Sequence, residues 1–219
     1  MRAWLLGWAA EVGRQRTWLT ELDAAIGDGD HGINLDRGLV AVAADLRAAG
    51  SGGAGGGALL VGAGRRLMGV VGGASGALYG RALVRAGEAV THDPDPDRLP
   101  EVALAAAIDA IERLGKASRG DKTMLDALIP ALDALRDATG ADTSERLERS
   151  AKAAQAGSDA TIPIVARKGR ASYLGERSMG HRDPGSASSA LLVRCLARAW
   201  ADSSSAGSGA GAGSVPTQF

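Results

Sequence analysis

The sequence predicts an all-α fold of about eight helices joined by glycine-rich loops, on three observations. Apolar residues recur at three- and four-residue spacing along most of the chain, and no convincing pair of alternating strand patterns appears. Aromatic residues supply only 3% of a composition that is 45% hydrophobic, so Ala, Leu and Val must fill the core, which suits close helix packing. Glycine reaches 32 of 219 residues, roughly twice the usual share of about 7%. It clusters at the expected helix junctions, where backbone can approach a ligand closely.

Trp4, Trp8 and Val12 open the first helical face, and Trp18, Leu19, Leu22 and Ile26 extend it to a first glycine cluster. Leu35, Leu39, Val42 and Leu46 form the next stripe, which stops in the Gly/Ser-rich stretch from Gly50 to Gly57. Leu59 to Val71 and Ala77 to Val90 read as two more helices flanking a second cluster, Gly72 to Gly76. Alternating Pro and Asp between His92 and Pro100 disfavour helix and central strand alike. Further helices are expected over Pro100 to Leu114, Lys122 to Ala138, Ser144 to Val165 and Pro184 to Ala201. The last starts with Asp183 as N-cap and a proline at N1, and Leu192, Cys195, Leu196 and Ala199 line one face. Ser/Gly/Ala repetition then predicts a disordered tail, giving one domain over residues 1–202 and a tail over 203–219.

Lys plus Arg (25) balances Asp plus Glu (25) with no basic run, which argues against a nucleic-acid partner. Cys195 is the only cysteine, so an internal disulfide is excluded, and with no clear export signal a cytoplasmic protein is expected. Ala3 to Ala10 imitates the apolar part of a signal peptide, but Glu11, Arg14 and Arg16 follow without a small-residue cleavage site. No apolar stretch approaches the roughly 20 residues that span a bilayer, so no membrane partner is expected.

The sharpest chemical signal runs from Leu22 to Gly32 and carries Asp23, Asp28 and Asp30. Three carboxylates brought together repel one another unless a cation sits among them. Mg²⁺ meets that need, since it takes oxygen ligands from a few carboxylates, waters and phosphates. For an isolated Asp-Gly-Asp, a solvated acidic turn is the competing reading. Gly27, Gly29 and Gly32 satisfy G-x-G-x-x-G, but a helix precedes them and aspartates stand where a pyrophosphate needs amide donors. An EF-hand beginning at Asp28 would put Leu39 where its bidentate Glu belongs.

Gly72 to Gly76 offers amides and the Ser75 hydroxyl as phosphate donors, although a close-packed helix junction fits the same residues. There is no Walker A sequence. Gly115 to Met124 joins two expected helices, and Met124 suits a purine face or the core. Ala166 to Ser172 is a short basic cluster, either solvated surface or a phosphate clamp.

Taken together, Gly27-Asp28-Gly29-Asp30-His31-Gly32, Gly120-Asp121-Lys122-Thr123-Met124, Ala166 to Ser178 and Gly180-His181-Arg182-Asp183-Pro184-Gly185 closely resemble the dihydroxyacetone kinase L family, over about Trp4 to Trp200. The resemblance implies a barrel of about eight antiparallel helices with ADP or ATP bound in loops at one end. It implies that Asp23, Asp28 and Asp30 hold two Mg²⁺ ions, while His31, Gly32, Ile33, Asn34, Ala74 and Ser75 surround the phosphates. Gly115 and Met124 would contact the adenosine side, and Arg170, Asp183, Pro184 and Gly185 would complete the pocket. Arg170 would carry the catalytic role of stabilising charge on the moving phosphoryl group. The second loop reads Gly-Gly-Ala-Ser-Gly where a Thr- or Ser-rich variant is expected, which leaves Ala74 a backbone role only.

A chain of this length has room for the nucleotide part alone, so it resembles the separate L subunit of the phosphotransferase-system-linked enzyme. In that form ADP stays bound, a phosphohistidine on an M subunit recharges it, and the γ-phosphoryl passes to dihydroxyacetone on a K subunit. A homodimer or hetero-oligomer is the implied assembly. Two alternatives stay open: an ATP-dependent kinase component whose nucleotide exchanges freely, and a nucleotide-sensing regulatory protein. A lipid-kinase helical domain fits less well, because its acidic motif typically has Thr where this chain has His31.

Overall fold

Gln15, at ψ 7°, interrupts what the apolar pattern reads as one long first helix and makes it two. The computed structural model describes residues 1–50, 54–93, 95–138 and 140–209. Among them run α1 (Arg2–Arg14), α2 (Arg16–Ile26), α3 (His31–Ala48), α4 (Gly56–Val70), α5 (Gly73–His92), α6 (Leu99–Gly115), α7 (Leu125–Asp137), α8 (Thr143–Asp159) and α9 (Pro184–Gly209). Short 3-10 segments cover Pro96–Arg98 and Arg170–Ser178, and there is no strand among the described residues. The expected all-α class is therefore the observed one.

Helices adjacent in sequence pack on one another from α3 through to α9, and α1 packs on both α3 and α9, so the packing order closes on itself. Trp4, Leu5, Trp8 and Val12 of α1, Leu35 and Leu39 of α3, Leu125 and Leu128 of α7 and Leu191 of α9 share one core. The Trp8 and Tyr79 rings meet at its centre, 5.4 Å apart. The turn at Gln15 lets α2 lie on α3 and α9, with Asp23 in its last turn.

Two further boundaries differ from the pattern. α8 stops at Asp159 rather than Val165, because the backbone turns through Thr161 and Ile162 ahead of Pro163, whose predecessor is steered away from helix. α9 continues past Ala201 to Gly209, with the Ser203 and Ser205 hydroxyls bonded back to carbonyls of the preceding turn. Residues 203–209 of the expected tail are thus helical, and 210–219 lie outside the described residues, as do 51–53 of the Gly50 to Gly57 stretch.

The glycine excess also serves a purpose inside helices. A Cβ on Gly64 would stand 2.5 Å from Gly80 O, and one on Gly87 would stand 2.5 Å from Gly57 O. α4 and α5 therefore touch backbone to backbone, and alanine at these positions would wedge them apart.

Candidate functional site

Asp23 sits in the last turn of α2, and Asp28 and Asp30 in the loop that leads to α3. One carboxylate oxygen from each lies within 4.8 Å of the others. The Asp23 carboxylate is buried and accepts hydrogen bonds from the amides of Asp30 (2.8 Å) and His31 (3.1 Å), so it also shapes the loop. Gly27 leaves room for it: a Cβ there would fall 2.1 Å from Asp23 Oδ1. Gly29 turns the chain at φ +72°, which a side chain would oppose. An oxygen-only set of three carboxylates fits a hard divalent cation such as Mg²⁺. Arg170 already places a guanidinium nitrogen 3.0 Å from Asp28 Oδ2, one cationic partner for the cluster.

Three helix starts surround the cluster. Asp30 and His31 begin α3, Gly72 to Ser75 begin α5, and Asp183 to Gly185 begin α9, and all of them line one cleft of about 220 Å³. First-turn amides without intrahelical partners and aligned peptide dipoles make helix starts favourable to anions. His31 ties the three together: its Nδ1 lies 3.0 Å from Ser75 Oγ and its Nε2 2.8 Å from Ser188 Oγ. Burial lowers the His31 pKa, outweighing the pull of Asp23 and Asp30 in the other direction, so the ring is held toward neutrality. The buried Tyr79 hydroxyl braces the same seam, 2.7 Å from Ser188 Oγ and 2.9 Å from Ser189 Oγ, and burial pushes its pKa up to about 12.

On the far wall, Asp183 caps α9 by accepting from the Ser186 amide at 2.6 Å. Burial raises its carboxyl to about 7, with the Ser186 amide and Lys122 opposing and Asp126 and Asp23 adding to the rise. Lys122 is fully buried and bonded to three carbonyl oxygens. Asp126 accepts from the amides of Gly120 and Thr123, which fixes the loop that delivers Met124.

Of the residues singled out in the sequence, Asp23, Asp28, Asp30, His31, Ala74, Ser75, Met124, Arg170, Asp183, Pro184 and Gly185 line this cleft. Gly32, Ile33, Asn34 and Gly115 do not. Gly32 is buried against Arg16 O of α2, half-exposed Ile33 faces away from the core, and Asn34 bonds Arg37. Gly115 borders Leu78, itself a lining residue. Tyr79, Lys122 and Lys168 line the cleft without having been singled out as site residues. A signal existed for the seam: Ser186, Ser188 and Ser189 interrupt an apolar helix and are fully buried.

A family model described as the DAK2 domain matches residues 25–198. The chain belongs to this family. It is 42% identical over 200 residues to the ADP-binding subunit of PEP-dependent dihydroxyacetone kinase 2 from Listeria innocua, covering 85% of this chain and 88% of that one. Against the ADP-binding subunit of the Escherichia coli PEP-dependent dihydroxyacetone kinase it is 38% identical, covering 90% and 97%. Other DAK2 relatives are longer: an L-erythrulose 1-kinase of Mycolicibacterium smegmatis is 41% identical, but only 32% of it is covered. The crystal structure of the dihydroxyacetone kinase from C. freundii in complex with AMP-PNP and Mg²⁺ superposes with a TM-score of 0.71 at 27% identity, over 90% of this chain and 33% of that one. No described helix of the chain is long and apolar enough to cross a membrane.

Proposed function

We propose that the chain is the nucleotide-carrying subunit of a dihydroxyacetone kinase: it holds Mg-ADP or Mg-ATP in the cleft and hands the γ-phosphoryl to dihydroxyacetone on a partner K subunit, giving dihydroxyacetone phosphate. A phosphohistidine on an M subunit recharges the ADP. The observation that carries this reading is the convergence of three carboxylates with three helix starts in one cleft, a pairing of cation and anion sites that a metal-bound polyphosphate satisfies at once. Identity of 42% and 38% to two ADP-binding subunits, covering 88% and 97% of them, supports the nucleotide-carrying role.

In this reading Asp23, Asp28 and Asp30 hold two Mg²⁺, which when bound supply charge neutralisation for the phosphates. The amides at the start of α5 and the Ser75 hydroxyl orient the phosphates, while Met124 and Gly185 form the adenosine side. His31 keeps the α3 and α5 starts in register through Ser75. Arg170, on the rim, leaves Asp28 for the phosphoryl group in flight. No side chain of the cleft is assigned as general base, because the hydroxyl that loses its proton sits on the partner.

Denaturing the purified protein and quantifying released nucleotide tests the reading. About one ADP per chain is expected, with almost no dihydroxyacetone phosphorylation until K and M subunits and a phosphodonor are added. Robust turnover by the isolated chain with ATP would overturn it in favour of an exchangeable-nucleotide kinase.

A further inference from the structure

A lysine lining a nucleotide cleft is ordinarily read as a phosphate ligand, and Lys122 lines this one. Its bonding contradicts that reading. The side chain is 1% exposed, and Nζ donates to Thr161 O (2.7 Å), Ile164 O (3.1 Å) and His181 O (2.6 Å). An ammonium has three N–H bonds, so no donor remains for a phosphate oxygen.

The three carbonyls belong to the two ends of the segment between α8 and α9. Thr161 and Ile164 follow α8, and His181 precedes Asp183 by two residues. Thr161 Oγ1 also accepts from Asp183 N at 3.0 Å, and Gly180 N donates to Ile162 O at 2.8 Å, so the segment is drawn into a closed loop at its neck. Lys122 enters that neck from another loop, at φ +63°, between the two amides held by Asp126. Two residues on, Met124 abuts Gly185, whose added Cβ would meet Met124 N at 3.5 Å and Met124 Cβ at 3.6 Å. The wall formed by Met124 and Gly185 is therefore assembled from two separate loops, and Lys122 is where they are joined.

We infer that Lys122 is a positioning residue that sets the adenosine side of the cleft and makes no contact with phosphate. This rests on the nucleotide-site reading above and adds to it a division of labour: the carboxylates and helix starts bind the metal and polyphosphate, and the Lys122 junction binds the nucleoside. Lys122→Met keeps the length of the stem and removes all three bonds.

Calorimetric titration of the full chain, first stripped of resident nucleotide and metal with EDTA, with Mg-ADP and with Mg-tripolyphosphate separates the possibilities. Wild-type protein should bind both, and failure to bind Mg-ADP would sink the nucleotide-site reading itself. In Lys122→Met the Mg-ADP affinity should fall at least about tenfold, while Mg-tripolyphosphate stays within about twofold of wild type. Equal losses for the two ligands would make Lys122 a phosphate ligand and overturn the inference, as would no loss for either. Thr161→Val removes only the hydroxyl that receives the Asp183 amide. Should Lys122→Met not fold, this variant must show the same split, and its absence counts against the inference equally.

Discussion

Replacing Gly27 with alanine puts the carboxylate cluster under a measurable load. The new Cβ would lie 2.1 Å from Asp23 Oδ1 and 3.0 Å from Asp23 Cγ and O, whereas ordinary contact begins at 3.4 Å. The Asp23 carbonyl is fixed in α2 and accepts the Gly27 amide, so the carboxylate is the part that must yield, by more than an ångström. That motion pulls Oδ2 off the Asp30 and His31 amides, now at 2.8 and 3.1 Å. Hydrogen bonds to a charged group are worth about 1.5–3 kcal/mol each, so losing one is the least expected cost. Mg²⁺ demands near-ideal octahedral geometry at about 2.1 Å and does not follow a displaced ligand over such a distance. A deficit of about 2 kcal/mol corresponds to about a 30-fold weaker Mg-ADP affinity, read by calorimetry. The melting temperature should drop by several degrees, at about 2–4 °C per kcal/mol for a chain of this size. Gly62→Ala is the control: nothing lies within 4 Å of its added Cβ, so it should leave binding unchanged and raise stability by about 0.5–1 kcal/mol. Wild-type Mg-ADP affinity in Gly27→Ala would refute the placement of Asp23 as a metal ligand.

Two more perturbations follow from the charges of the cleft. Folded Asp183 keeps its proton up to about 7 while the unfolded chain releases it near 3.8, so this group increasingly penalises folding as pH climbs from about 4 to about 7, and fully above that. Chemical denaturation in EDTA should show wild type losing stability across that window relative to Asp183→Asn, and parallel profiles would contradict the buried, proton-holding carboxyl. Arg170→Ala should have opposite effects on two ligands, because the exposed pair with Asp28 is worth at most about 1 kcal/mol to the empty site. Bare Mg²⁺ should bind up to about fivefold tighter and Mg-ADP more weakly, and a shift of both affinities in one direction would show that Arg170 does not exchange between Asp28 and phosphate.

What the sequence made legible followed the range of the interactions involved. Helical stripes such as Leu35, Leu39, Val42 and Leu46 are local, and they located α3 to α7 within a few residues. The carboxylate triplet was also legible, since Asp23, Asp28 and Asp30 span one helix end and one loop. Gln15 gave no warning of the break between α1 and α2, for it is neither glycine nor proline, and packing on α3 and α9 turns the chain there. Pro130 lies inside α7, within the helix expected over Lys122 to Ala138, and Gly157 of α8 comes up against the Asp126 carbonyl. Lys122, Tyr79 and Ser188 act through partners 39 to 157 residues away, and no spacing rule reaches that far. Arg170 and Asp183 were reachable only through resemblance, because a basic loop or a helix cap has by itself no direction in space.

The arrangement of charge implies an order of events at the cleft. Three carboxylates within 4.8 Å would repel an incoming polyphosphate before any helix start could attract it. Part of that charge is answered by the chain itself, Asp23 by two amides and Asp28 by the Arg170 guanidinium. A divalent ion held by the three carboxylates would offset their charge and let the α3, α5 and α9 starts favour an anion beside it. On this argument nucleotide and metal affinities must each rise in the presence of the other by the same factor, since linkage between two ligands is reciprocal.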